Sequence, residues 1–283
     1  FVRNVDFAQG LDAIVGRFRG GFEAVQPTLN ASLPESLAAP ARETAAAFIA
    51  GGVPEALATR IGFLGYEAAI PDIVLVSERA GKPLDQVNLI TIHLGNGCSA
   101  CAIQKGSSIN TSMGLTPLEG LMMGTRCGDI DPAIPFYIGT ATDATPAELE
   151  AALNRDSGVK GICGDNDMRA VQQRAGAGDA RARLAIDMYC YRIRKYIGAY
   201  CAVLGHVDAL VFTAGIGENS ALVRETACRG LEILGIALDP DKNHAPRSAG
   251  AAIERAGAAV RVLVIPTNEE IEIARQTLDN ISR

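Results

Sequence analysis

Charged side chains that could handle a phosphate group cluster in one glycine-rich segment, residues 110–132. The segment reads NTSMGLTPLEGLMMGTRCGDIDP and carries Glu119, Arg126, Asp129 and Asp131. The planar guanidinium of an arginine matches the oxygens of a phosphate group, and a lysine would not replace it equally. The alternative for Arg126 is a surface ion pair with Asp129 or Asp131, which would contribute little to stability. The segment therefore predicts an anion site or, alternatively, a charged surface loop.

Two predicted strands precede this segment and meet in a tight turn. Residues 88–94 are apolar and rich in β-branched side chains, which predicts a buried strand. They lead into the turn Gly95-Asn96-Gly97, and residues 98–104 predict a returning strand. We expect these glycines to be required, because only a backbone without side chains turns so tightly. A turn of this kind leaves N–H groups pointing into one concavity, which suits phosphate oxygens.

Two more predicted strands also end in polar, glycine-rich or acidic turns. Residues 208–213 (DALVFT) lead into AGIGEN and then a helix over 220–231, and residues 260–265 (VRVLVI) lead into PTNEE and a closing helix to about residue 278. A strand, a Gly-x-Gly turn and a helix can place a phosphate or ribose beside the helix start. Ligands of open α/β sheets bind beyond the carboxyl ends of strands, so three such ends predict one site. Ordinary structural turns are the alternative.

Helices are predicted between these strands. Thr145, followed by proline, predicts a helix start for residues 145–153. Residues 157–168 predict a loop, and residues 169–173 and 179–204 predict helices. The last of these has an apolar face that we expect to be buried, formed by Leu184, Met188, Ile193, Ile197 and Val203. Strands that alternate with helices indicate an α/β sheet.

Composition excludes several classes of function. The net charge of −6 leaves no basic surplus for binding a nucleic acid, and no apolar run approaches the roughly 20 residues that span a bilayer. Seven cysteines in mostly apolar surroundings indicate reduced core thiols of a cytoplasmic protein. Cys98 and Cys101 have CxxC spacing, but positions i and i+3 of a strand face opposite sides. A metal or redox site there is therefore disfavoured.

Five runs carry a family resemblance: HLGNG (93–97), the whole of 110–132, DMR (167–169), FTAGIGENS (212–220) and IPTNEEIEIAR (265–275). They resemble the acetate/propionate kinase family of the acetate-and-sugar-kinase/Hsp70/actin superfamily. The resemblance implies an α/β, ribonuclease-H-like (actin-like ATPase) fold. It also implies ATP and Mg²⁺ as cofactors, acetate or propionate as phosphoryl acceptor, and a homodimer.

The resemblance also implies roles for individual residues. Arg126 would stabilise the transferring phosphoryl group and Glu269 would hold the magnesium ion. The ATP site would be lined by His93, Leu94, Gly95, Asn96, Gly97, Asp167, Met168, Arg169, Gly215, Ile216, Gly217, Glu218 and Asn219.

The residues themselves leave alternatives for four of these positions. Asp167 and Arg169 could instead cap the helix that follows them, and the carboxylate of Glu269 is also favourable in the first turn of a helix. His93 is better suited to a hydrogen-bonding role at a strand end than to acid–base chemistry.

Residues 1–83 depart from the family pattern. The chain begins with Phe1 and shows no Asn-x-Gly-Ser-Ser-Ser-x-Lys phosphate loop, and Leu64, which cannot donate a hydrogen bond, stands where the family has a histidine. Arg17 or Arg19 is a candidate remnant of the substrate-binding arginine. We predict a partial, degenerate N-terminal lobe (1–83) and an intact C-terminal nucleotide-binding domain (84–283). Two functions remain open: a kinase of low activity, or an inactive remnant that binds nucleotide or dimerises.

Overall fold

Six strands form one mixed sheet at the centre of the described chain. The computed structural model describes residues 81–245 and 250–266. In these ranges the strands are β1 (Leu89–Leu94), β2 (Cys98–Gln104), β3 (Ser107–Thr111), β4 (Ala209–Thr213), β5 (Ala251–Ala252) and β6 (Arg261–Val264). Their order in the sheet is β3-β2-β1-β4-β6-β5. Strands β1, β4 and β6 are parallel, and β2, β3 and β5 are antiparallel to their neighbours.

The apolar strands are buried on both faces of the sheet. Every residue of β4 is buried, as its continuous apolar run predicts for a central parallel strand. The larger core cluster contains Cys98 and Phe212 together with the buried helix residues. A second, smaller cluster contains Cys101 and Val211. Cys98 and Cys101 therefore lie on opposite faces, and the prediction from the strand period is confirmed.

Helices connect β3 to β4 and β4 to β5. In the described ranges they are α1 (Ile134–Thr142), α2 (Pro146–Arg155), α3 (Gly158–Cys163), α4 (Met168–Gly176), α5 (Ala180–Leu204), α6 (Ala214–Asn219), α7 (Ala221–Cys228) and α8 (Pro240–His244). Short 3₁₀ turns cover Leu84–Gln86 and Glu232–Leu234. Side-chain caps begin several of these helices, namely Thr145, Asp167, Asp179, Ser220 and Asp239. None of these helices is both long and apolar enough to cross a bilayer.

Two predicted loops are helical. Residues 157–168 contain α3, because the N–H of Val159 donates to the Met123 carbonyl at 3.0 Å and the N–H of Lys160 to the Gly124 carbonyl at 2.9 Å. These long-range bonds anchor a helix start that composition alone does not indicate. The expected turn after β4 is the short helix α6.

Helix α5 buries a different face from the one expected. Ile193 and Ile197 are buried as predicted, whereas Leu184, Met188 and Val203 are exposed. The buried stripe includes Tyr189 and Tyr200. Their rings are apolar while their hydroxyl groups find partners in the interior, so a pattern based on aliphatic side chains misplaced the face.

Candidate functional site

The turn between β1 and β2 lies where two parallel strands end side by side. His93 of β1 is in register with Thr213 of β4. The N–H of Gly95 donates to the carbonyl of Gly97 at 2.9 Å. Neither glycine has a positive φ, so the expected conformational need for glycine was wrong. The absence of a side chain instead keeps the turn open towards the segment that carries Arg126.

The guanidinium of Arg126 lies against this turn. A β-carbon built on Gly97 would lie 3.5 Å from Nη1 of Arg126. Nη1 donates weakly to the Met123 sulfur at 3.5 Å, and no carboxylate of the described residues forms an ion pair with Arg126. Asp131 accepts from the N–H of Ala133 at 2.9 Å. The surface ion pair considered as the alternative is therefore not formed, and the guanidinium is available to an anion.

Two close approaches fix the segment around Arg126. The N–H of Gly124 donates to the carbonyl of Asn96 at 3.0 Å, and a β-carbon on Gly124 would lie 2.3 Å from Oδ1 of Asn96. On the other side, Gly158 has a φ of +62°, and a β-carbon there would lie 2.2 Å from the Met123 carbonyl oxygen. The segment is thus packed between the β1–β2 turn and the start of α3.

Asp129 ties the same segment to α5. Its Oδ1 accepts from the N–H of Gly120 and its Oδ2 from the hydroxyl of Tyr196, both at 2.8 Å. Nη2 of Arg192 donates to the Asp129 carbonyl at 2.6 Å. Burial, and then the hydrogen bond to Asp129, raise the pKa of Tyr196. Sequence reasoning missed Arg192 and Tyr196, although their i, i+4 spacing places them on one face of α5.

The DMR run begins beside the same turn. Nδ2 of Asn166 donates to Oδ1 of Asn96 at 3.0 Å. Asp167 caps α4 by accepting from the N–H of Arg169 at 2.9 Å, and it binds the Arg169 guanidinium at 3.1 and 2.8 Å. These bonds lower the pKa of Asp167 to about 2. Asp167 thus has the capping role that was considered as an alternative, and Met168 is buried in the core.

Helix α6 presents an open side and a packed side. Nothing lies within 4 Å of a β-carbon built on Gly215, whereas Gly217 is buried and a β-carbon there would lie 3.7 Å from Cβ of Leu94. Nδ2 of Asn219 donates to the Gly215 carbonyl at 2.8 Å. Leu94 is itself fully buried in the core, so the packed side of α6 faces away from any ligand. The open side at Gly215 is a surface that a flat ring could approach.

Arg126 also borders a cleft of about 600 Å³. The facing wall is helix α2, which contributes Glu150, Asn154 and Arg155. The cleft thus presents a second arginine and one carboxylate to whatever approaches Arg126 from this side.

Several predicted site residues cannot be related to this geometry. Glu269, Leu64, Arg17 and Arg19 lie outside the described residues. Within residues 81–245 and 250–266, no group of three or more His, Cys, Asp or Glu side chains could hold a metal ion. A magnesium site thus remains a prediction that rests on Glu269.

Comparison with protein families identifies the chain over most of its length. A family model described as the acetokinase family matches residues 70–275. A second model, described as glutamate dehydrogenase, C-terminal, matches residues 1–104. It covers less than half of the chain, and it includes the region that departs from the kinase pattern.

Curated relatives agree with the first model. The chain is 62% identical over 203 residues to an acetate kinase of Syntrophobacter fumaroxidans, covering 72% of this chain and 49% of the relative. It is 53% identical over 234 residues to an acetate kinase of a Sulfurovum strain, covering 81% of this chain and 58% of the relative. The chain thus spans about half the length of the curated relatives it matches.

Solved structures have the same fold. Porphyromonas gingivalis acetate kinase superimposes with a TM-score of 0.71 at 41% identity, over 74% of this chain and 53% of that one. A propionate kinase from Francisella tularensis superimposes with a TM-score of 0.67 at 45% identity, over 72% and 53%. The α/β, actin-like ATPase fold expected from the sequence is confirmed. On the family match, the relatives and the superpositions together, this chain belongs to the acetokinase family.

Proposed function

We propose that this chain carries the nucleotide-binding and phosphoryl-stabilising part of a kinase that transfers the γ-phosphoryl group of ATP to acetate or propionate. The observation that carries the proposal is the position of Arg126. Its guanidinium lies beside Gly97 and forms no ion pair with a described carboxylate. An arginine without a carboxylate partner, set against a glycine turn, suits a phosphate oxygen.

The reaction requires positioning and charge neutralisation more than covalent chemistry by the protein. An oxygen of the acceptor carboxylate attacks the γ-phosphorus, and the bond from that phosphorus to the ADP oxygen breaks. Arg126 would bind the equatorial oxygens of the phosphoryl group in the transition state of its transfer. The main chain of the Gly95-Asn96-Gly97 turn would hold the phosphate chain, and the open side of α6 at Gly215 would receive the nucleoside.

Magnesium, when bound, would neutralise charge on the β- and γ-phosphate oxygens. Its expected ligand, Glu269, lies outside the described residues, so no step is assigned to the ion.

An inactive nucleotide-binding protein is the second candidate. One feature favours it: Leu64 stands where the family pattern has a histidine. Loss of one donor that stabilises a transition state typically lowers the rate by about 10²–10³-fold. The second candidate differs from the kinase in that it would bind ATP without measurable turnover.

Paired measurements distinguish the two candidates. ATP binding is titrated by calorimetry, and acyl phosphate is trapped as the hydroxamate with acetate and with propionate. Turnover that falls by about 10²–10³-fold in Arg126→Ala supports the kinase. Arg183→Ala is the control, because this exposed arginine of α5 does not line the cleft beside Arg126. Binding without turnover selects the second candidate, and no nucleotide binding rejects both.

We also propose that the chain forms a homodimer. No residue of α1 is buried, and Phe136 and Tyr137 are each 76% exposed. An exposed cluster of large apolar side chains is typical of a protein contact. Light scattering is expected to give twice the chain mass, and Tyr137→Glu is expected to give a monomer. Ile233→Glu is the control, since this side chain is 91% exposed and lies outside α1. A monomeric wild type contradicts the proposal.

A further inference from the structure

Arg224 is a fully buried arginine next to α6. Its side chain has no exposed surface, and it is the largest such side chain among the described residues. Nε donates to Oδ1 of Asn243 at 2.8 Å, and Nη2 donates to the carbonyl of Asn243 at 3.0 Å. Nη1 donates to the carbonyls of Gly217 at 2.6 Å and of Glu218 at 3.0 Å. Each of the three guanidinium nitrogens therefore has a partner.

The charge of Arg224 is compensated without a carboxylate from the described residues. All four acceptors are neutral oxygens, and three of them are carbonyls near the carboxyl ends of α6 and α8. Carbonyls at helix ends carry partial negative charge, which offsets part of the cost of burying a guanidinium. An apolar side chain would fill this space without that cost. Arg224 thus places a buried positive charge on α7, and all of its hydrogen bonds connect α7 to α6 or to α8.

The bonds of Arg224 end on the segment expected to contact nucleotide. Gly217 and Glu218 belong to α6, whose open side is at Gly215. Helix α6 is only six residues long and begins at Ala214, which has a left-handed φ of +65°. So short a helix has little intrinsic stability, and its position depends on such outside contacts. Arg224 is therefore placed to determine where Gly215 lies.

We propose that Arg224 is a positioning residue for nucleotide binding, with Asn243 as its second anchor. It acts through the α6 carbonyls and does not touch the nucleotide. This inference rests on the proposed function, because it assumes that α6 lines the nucleotide site.

The test is ADP affinity, measured by calorimetry on the full chain. In Arg224→Met the side chain keeps its approximate length but loses its donors, and ADP binding is expected to weaken on the order of 10–100-fold because α6 shifts. Arg224→Lys is expected to recover only part of the loss, since an ammonium cannot reproduce the fork. Where turnover is measurable, KM for ATP is expected to rise while kcat and KM for the carboxylate change little.

Val223→Ala is the matched control for stability. Val223 is the neighbouring residue of α7, is fully buried in the main core and makes no side-chain bond to α6. It is expected to lower the melting temperature while leaving ADP affinity unchanged. If Arg224→Met does not fold, Asn243→Ala takes its place, because it removes the Nε acceptor and leaves the two α6 carbonyls.

The outcomes separate this inference from the proposed function. If the wild-type chain binds no ADP, both the proposed function and the role of Arg224 are rejected. Wild-type affinity in folded Arg224→Met, or in Asn243→Ala where that variant replaces it, removes only the role of Arg224. An equal loss of affinity in Val223→Ala also removes that role, because general destabilisation would then explain the result.

Discussion

The guanidinium of Arg126 lies against Gly97 of the β1–β2 turn, with Nη1 of the arginine 3.5 Å from the position of a β-carbon on the glycine. This distance corresponds to ordinary van der Waals contact, and Gly97 has no positive φ. A side chain at this position would therefore fit the fold while occupying the space beside the guanidinium.

Gly97→Ala is accordingly expected to fold with a melting temperature close to that of the wild type. Its methyl group would stand between the turn and Arg126, so turnover, or ATP affinity where turnover is absent, should fall by about 10-fold to 100-fold. Gly97→Val, with its larger side chain, should lower the same turnover or affinity further. Thermal melts and ATP titrations check both variants, and unchanged affinity in Gly97→Val would show that no ligand group passes between the two residues.

Gly158 and Gly164 provide a matched pair at the two ends of α3. Both have positive φ, but a β-carbon on Gly158 would lie 2.2 Å from the Met123 carbonyl oxygen, whereas nothing lies within 4 Å of one on Gly164. Gly164→Ala should cost about 1 kcal/mol of unfolding free energy from backbone strain. Gly158→Ala should cost roughly 2–5 kcal/mol because overpacking is added to strain. Urea unfolding measures the difference, and equal losses would refute the close approach.

The ion pair between Asp167 and Arg169 makes the pKa of the Asp167 carboxyl group depend on Arg169. The pKa of Asp167 is lowered from 3.8 to about 2, chiefly by the hydrogen bonds from the Arg169 side chain. A lowered pKa means that the stabilisation is complete above about pH 4 and is lost as the pH falls through about 2. Arg169→Gln should therefore raise the pKa of Asp167 towards its ordinary value.

Carboxyl NMR titration measures this change residue by residue. Asp179 is an internal reference, because it also caps a helix but pairs with Arg174. Its midpoint should be the same in Arg169→Gln. An unchanged midpoint for Asp167 would show that its backbone hydrogen bonds alone set its acidity.

The cysteines are expected to fall into two reactivity classes. Five of the seven are buried, and only Cys127 and Cys201 are partly accessible. Burial raises the pKa of Cys98 and of Cys190 to about 12, and the thiolate is the species that reacts. A thiol reagent at pH 8 should modify at most two residues of the native protein within minutes and all seven in denaturant. Rapid modification of a third would show that the core opens readily.

Elements with local signals were predictable. Strands β1, β4 and β6 follow apolar runs, and β2 is the returning strand expected after the Gly95-Asn96-Gly97 turn. The start of α2 follows from the capping box of Thr145 and Glu148. The family motifs also indicated which segments meet, since Arg126 and Asn166, the residue just before the DMR run, both lie against the turn that contains Asn96.

Features that depend on distant contacts were not predictable. Helix α3 is fixed by bonds to the Met123 and Gly124 carbonyls, and Arg192 reaches Asp129 across 63 positions of sequence. Arg224 has no local sign of burial, because arginine is usually exposed. The partners of these residues are set by the tertiary structure, so neither spacing nor composition reveals them.

Helix α5 connects several elements of the domain and should make them move together. It spans 25 residues, or about 37 Å at 1.5 Å per residue, and its side chains bond to β2, to the Arg126 segment, to β3 and to α7, through Tyr189, Tyr196, Tyr200 and Arg194. A ligand that displaced one of these partners would therefore have to move helix α5 as a whole. These elements should therefore move collectively, and amide protons along α5 should exchange through a single shared opening event.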